Sequence, residues 1–153
     1  MKQLQPAAWM RLLLGGLFLW SGFLKLLDPW QNFQAVIEAY RLVQGAPAQW
    51  IAQIFPWIEA IGGLFLVLGL YIPFAAAALW ALNMSFIAAL GAAVVRKLPI
   101  HDCGCFGDAF SLPPPLMLVL DTALWFGFGS LFLWKENAAK LSLDEFYATR
   151  RQK

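Results

Sequence analysis

The only two cysteines of the chain stand one residue apart in Asp102-Cys103-Gly104-Cys105-Phe106-Gly107, directly after His101. Two cysteines this close can bridge, because their Cα atoms can come within the range that a disulfide tolerates. The ring is small and its geometry forced, and Gly104 helps by reaching backbone conformations that other residues avoid. A strained disulfide is easier to reduce, so the pair points to thiol–disulfide exchange. A partner thiolate attacks one sulfur, a mixed disulfide forms, and a second thiol resolves it. Cys103 and Cys105 are the candidate reactive groups, and either sulfur can be the one attacked. His101 is a candidate for stabilising a thiolate or carrying a proton. A different chemistry uses the same residues: an imidazole and two thiolates suit zinc or copper in a metal-handling or transport protein. No second cysteine pair exists to complete a closed site, and no metal is assigned. A purely structural staple would gain little, because cross-linking so short a loop removes little chain entropy.

The elements around this loop follow from composition. Of 153 residues, 61% are hydrophobic, 16% aromatic and only 13% charged, about half the charged fraction of an ordinary globular domain. A soluble core of this size could not hide so many large apolar side chains. A nucleic-acid partner is excluded on the same ground, because no basic stripe interleaved with aromatics is present. Four apolar segments, about 7–27, 50–70, 74–95 and 116–134, are each long enough to cross ~30 Å of hydrocarbon as helices. Only helices satisfy their backbone there without partners. The first segment ends in Lys25-Leu26-Leu27-Asp28-Pro29-Trp30, with no small-residue cleavage site, so it reads as a retained span rather than a signal peptide. The second and third are joined only through Tyr71-Ile72-Pro73 and must form a tight hairpin. Between the first two spans, Trp30, Phe33, Ile37, Tyr40 and Val43 recur at helical spacing, opposite Gln31, Gln34, Glu38 and Arg41. This predicts an amphipathic surface helix over about 30–44, acting as a lid or as a simple anchor. The tail 135–153 carries a capping-box pattern at Ser142 and Glu145 and is expected to form a cytoplasmic helix. The expected fold is a single-domain, all-α integral membrane protein: a four-transmembrane-helix bundle with a short amphipathic outer helix.

Charge sets the expected orientation. With both termini on one side, that side holds Lys2, Arg11, Lys135, Lys140, Arg150, Arg151 and Lys153, and the other holds Lys25, Arg41, Arg96 and Lys97. The larger count belongs in the cytoplasm. The loop 96–115 then faces the periplasm of an inner-membrane protein, where disulfides persist.

Inside the spans, Glu59 and Asp121 fall in the half nearest the cysteines, and Lys25 closes the first span on that side. Intramembrane charges are costly and usually face a partner or a cavity. Glu59 is expected to pair with Lys25, either as a lock on the bundle or as a carboxylate that moves protons. Trp57, Trp80, Asn83 and Phe86 are expected to line a polar pocket with it. Asp121 joins that wall or simply reaches interfacial water. Gly15-Gly16, Gly62-Gly63 and Ala75–Ala78 are expected to let helices approach closely.

Several of these features together resemble the MauE/DoxX-like membrane protein family, over roughly residues 7–134. They are the four-span layout, Gly22-Phe23-Leu24-Lys25-Leu26, Tyr40-Arg41, Pro56-Trp57-Ile58-Glu59, Gly62-Gly63 and, most specifically, Cys103-Gly104-Cys105-Phe106-Gly107. The resemblance implies a role in maturing periplasmic proteins by forming or relaying disulfides. In the methylamine utilisation system of that family, the beneficiary is the disulfide-rich small subunit of methylamine dehydrogenase, with a thioredoxin-like partner nearby. A periplasmic thioredoxin-like or disulfide-bonded client is therefore the implied protein partner, alongside the lipid bilayer. A looser architectural analogy, to four-helix thiol oxidases, implies a quinone as electron acceptor, with Trp57, Asn83, Phe86 and Asp121 as candidate quinone-binding residues. Those oxidases carry two cysteine pairs. This chain has one, so electrons would pass straight from Cys103–Cys105 to a quinone or to a second protein. A scaffold subunit of a respiratory or maturation complex is the remaining alternative.

Overall fold

The structure is a computed structural model that describes residues 6–100 and 113–133. Five helices follow one another: α1 (Pro6–Leu27), α2 (Trp30–Ala39), α3 (Ala46–Leu68), α4 (Ile72–Val95) and α5 (Pro114–Leu133). Four of them, all but α2, are long and apolar enough to cross a membrane, and no strand occurs among the described residues. The chain is thus an all-α, four-helix integral membrane bundle. Its outward surface carries large apolar side chains such as Trp9, Trp20, Trp50, Phe74 and Phe126, each more than half exposed, which only lipid can cover.

α1 packs chiefly on α3, and α4 on α5. Glycines set the first contact. A Cβ on Gly63 would lie 2.4 Å from the Leu19 nitrogen and 2.7 Å from the Gly15 oxygen, and one on Gly22 would lie 2.5 Å from the Ala60 nitrogen. The two backbones therefore touch directly, as small residues allow between membrane helices. Gly62 packs on Leu79 of α4, whereas Gly16 faces open space and takes no part, contrary to the expectation for the Gly15-Gly16 pair. Pro56 sits inside α3. Lacking an N–H, it frees the carbonyl four residues back.

The expected tight hairpin joins α3 to α4, whereas the reversal after α2 departs from the sequence expectation. α3 ends on Gly69 in the left-handed conformation (φ 71°), and Tyr71 (φ 46°) turns the chain into α4. α2 stops at Ala39 rather than running to residue 44, because Arg41 adopts φ 54° and Gly45 φ 67°, which no right-handed helix tolerates. Tyr40 is nevertheless buried, packing with Leu90, Ala93 and Met117. Its helical spacing reflects a buried turn, not a continued helix. α3 begins at Ala46, four residues earlier than expected, so its first turns reach past the end of α1.

Candidate functional site: a buried polar core under the amphipathic helix

That overhang decides where the charges lie. Glu59 is 13 residues into α3, ~20 Å along its axis, and meets α1 near that helix's last turn. Lys25 Nζ lies 2.7 Å from Glu59 Oε2, with both side chains almost fully buried. Ser21, one turn before Lys25 on the same face, completes the cluster. Lys25 Nζ donates to Ser21 Oγ at 2.7 Å, and Ser21 Oγ donates to Glu59 Oε2 at 3.0 Å. The rings of Phe33 (α2) and Phe86 (α4) stand 5.4 and 5.5 Å from Lys25 Nζ, a distance at which a ring face attracts a cation. Phe33 thus lays α2 over the ion pair. The second oxygen, Glu59 Oε1, is buried with no hydrogen-bond partner among the described residues.

A second polar pair spans α4 and α5. Asn83 Nδ2 donates to Asp121 Oδ1 at 3.4 Å, with Asn83 fully buried and Asp121 only 3% exposed. Asp121 is therefore inside the bundle and does not reach interfacial water. The two pairs are neighbours. A cavity of about 20 Å³ is lined by Ser21 on one side and Asp121 on the other, with Phe18, Phe86 and Leu124 between them. One water fits such a space.

Placement of the expected pocket residues is mixed. Glu59, Asn83, Phe86 and Asp121 come together around this core. Trp57 does not: it is 57% exposed on the outside of the bundle. It sits two residues from Glu59, and a helix turns ~200° in that distance, so the two cannot share a face. Trp80 also lies elsewhere, its ring tilted against those of Trp125 and Phe132 at centroid distances of 5.4 and 5.3 Å. Of the four candidate quinone residues, Asn83, Phe86 and Asp121 thus lie inside the bundle and Trp57 lies on its outer face. Phe86 and Asp121 line the small cavity, and Phe86 also borders a larger one beneath α2. Ser21 was not among the expected residues, although its position four before Lys25 was a usable signal. Arg11 was counted as a cytoplasmic end charge, but it is buried, 2% exposed, in the opposite half of α1.

His101, Cys103 and Cys105 lie outside the described residues. They fall in the segment that joins the end of α4 to the start of α5. Among the described residues, no group of three or more His, Cys, Asp or Glu side chains is placed to hold a metal.

Comparison with known proteins agrees with this architecture. The family model for methylamine utilisation protein MauE matches residues 4–135. The methylamine utilization protein MauE of Paracoccus denitrificans is 33% identical over 112 residues, which is 72% of this chain and 59% of that protein. The chain thus matches about three fifths of the curated relative's length. No solved structure matches. With four spans and a family match running from the first to the last of them, the chain belongs to the MauE family of multi-pass membrane proteins.

Proposed function

We propose that this protein is a membrane thiol–disulfide exchange protein of the periplasmic face, serving the maturation of disulfide-bonded proteins. The observation that carries the reading is the adjacency in the chain of the Cys103-Gly104-Cys105 pair to the bundle end that holds the Lys25–Ser21–Glu59 core. In the exchange, a client thiolate attacks one sulfur of the Cys103–Cys105 disulfide and the other sulfur leaves as a thiolate. The client's second thiolate then breaks the mixed disulfide. Two electrons and two protons have moved from client to loop, and the client leaves oxidised. A two-electron acceptor must regenerate the loop; a quinone or the disulfide of a second protein has that chemistry, and no step is assigned to either. Glu59 is the proposed proton-handling carboxylate, since one of its oxygens is held by Lys25 and Ser21 while the other has no hydrogen-bond partner among the described residues. His101 is the proposed shuttle between that core and the thiolates. Both termini are cytoplasmic in this reading, following the lysine and arginine count.

Single-cysteine variants test it. Cys103→Ser or Cys105→Ser should trap a mixed disulfide with a client, seen as a reductant-sensitive adduct in non-reducing gels. If neither variant forms an adduct in cells and both keep activity, exchange is wrong. Stoichiometric metal in the purified protein, lost on changing either cysteine, would favour metal handling instead.

A further inference from the structure

A larger cavity lies beneath α2, next to the polar core, with Phe33 and Phe86 standing between it and Lys25. It measures about 180 Å³ and is walled by Phe33 and Tyr40 on the α2 side, Ile51 and Phe55 of α3, and Ala89 and Leu90 of α4. That exceeds the ~150 Å³ known to take a benzene molecule. Its wall offers little to a polar guest: Ser85, which also lines it, donates its hydroxyl to the Leu82 carbonyl at 2.6 Å. Water needs two to four polar partners to occupy such a space, and quinone carbonyls need donors. An alkyl chain needs neither.

The surroundings supply a head-group site. Arg41 stands between Tyr40 and Leu42, both of which line the cavity. Arg96 Nη1 donates to the Arg41 carbonyl at 3.4 Å, which brings the end of α4 to the turn after α2. Lys97 follows, and all three cations are exposed. Arg41 and Lys97 both have positive φ, 54° and 50°, so these cations sit on turns at two helix ends. Cations commonly suit helix C-termini; what distinguishes these is the apolar cavity beside them. Glu38, three residues before Arg41, already accepts hydrogen bonds from the Gly45 N–H at 3.1 Å and from Gln34 at 2.9 Å. An amphipathic helix with tryptophan at its start belongs at the lipid interface, where a basic cluster attracts anionic lipid.

We propose that the cavity under α2 binds one acyl chain of an anionic phospholipid, with its phosphate on Arg41, Arg96 and Lys97. The inference is independent of the cysteine chemistry. Native mass spectrometry of the full chain, offered equal amounts of phosphatidylglycerol and phosphatidylcholine, tests it. The expected result is selective retention of phosphatidylglycerol, falling about fivefold for each of Arg41→Gln and Arg96→Gln. Ala89→Phe, which fills the cavity, should abolish it. These arginines are exposed, so their variants should keep the parent's circular dichroism and melting point. A phosphatidylglycerol carrying a diazirine on its acyl chain should cross-link to Phe33, Ile51 or Phe55. Equal retention of both lipids, selectivity unchanged in the double arginine variant, cross-links only on the outer faces of α1 or α5, or a quinone or neutral lipid co-purifying in the cavity would overturn the proposal.

Discussion

The two helix pairs of the bundle hold together by different means. α1 and α3 touch backbone to backbone at Gly15, Gly22 and Gly63, and they bury a full ion pair beside that contact. α4 and α5 meet through aromatic rings, Trp80 on Trp125, and through one long amide-to-carboxylate hydrogen bond, Asn83 to Asp121. The first interface is exact and carries charge. The second is softer and sets a side-chain amide against a carboxyl group. An amide-to-carboxyl hydrogen bond serves between α4 and α5 where α1 and α3 bury an ion pair. A buried ion pair is weak evidence of stability, because desolvation offsets much of its attraction. Its presence at the bundle end next to the cysteines in the chain therefore favours a role beyond packing.

The largest effect should come from breaking that pair. Glu59→Ala leaves Lys25 buried without its counter-charge and should cost about 3–5 kcal/mol, measurable by SDS titration in mixed micelles. The double variant Lys25→Met with Glu59→Leu should return most of that stability, since apolar replacements of buried pairs are often neutral. If Glu59 handles protons, the same variant should still exchange disulfides about 100-fold more slowly. A double variant with wild-type exchange would reduce the pair to a lock.

Next in size is the close helix contact. Gly22→Ala or Gly63→Ala pushes a methyl into backbone and should cost about 1–3 kcal/mol in the same titration. Gly16→Ala, facing open space, should stay within about 0.5 kcal/mol. Equal costs at Gly16 and Gly22 would contradict the packing described for α1 and α3.

Smaller still is the α4–α5 hydrogen bond. Asn83→Ala should cost about 0.6 kcal/mol and no more than about 1.7, the average and maximum for side-chain hydrogen bonds between membrane helices. A loss as large as that of Glu59→Ala would erase the contrast between the interfaces. Trp57→Ala, on the outer face, should shift stability by no more than about 0.5 kcal/mol and leave exchange intact.

Much of this was legible in the sequence, for physical reasons. Spans follow from run length alone, because a bilayer sets the length of its helices. The Lys25–Glu59 pair followed from the cost of leaving either charge alone in lipid. Trp57 falls outside the expected pocket because it stands two residues from Glu59, and side chains two apart on a helix point nearly opposite ways. The end of α2 was missed because Arg41 takes a left-handed conformation that nothing in its side chain announces. Asp121 was partly misread because its depth depends on Asn83 of a neighbouring helix, a contact that spacing within one segment cannot reveal. The cysteine chemistry itself rests on the sequence, the family and the position of that segment between α4 and α5.

The most direct test of the central claim is labelling of Cys103 and Cys105 in intact cells with a membrane-impermeant maleimide, before and after a mild impermeant reductant. Exchange on the periplasmic face predicts no labelling of the resting protein and labelling of both cysteines from outside after reduction. Labelling only after the membrane is opened, and without any reductant, would place two free thiols in the cytoplasm and contradict the account.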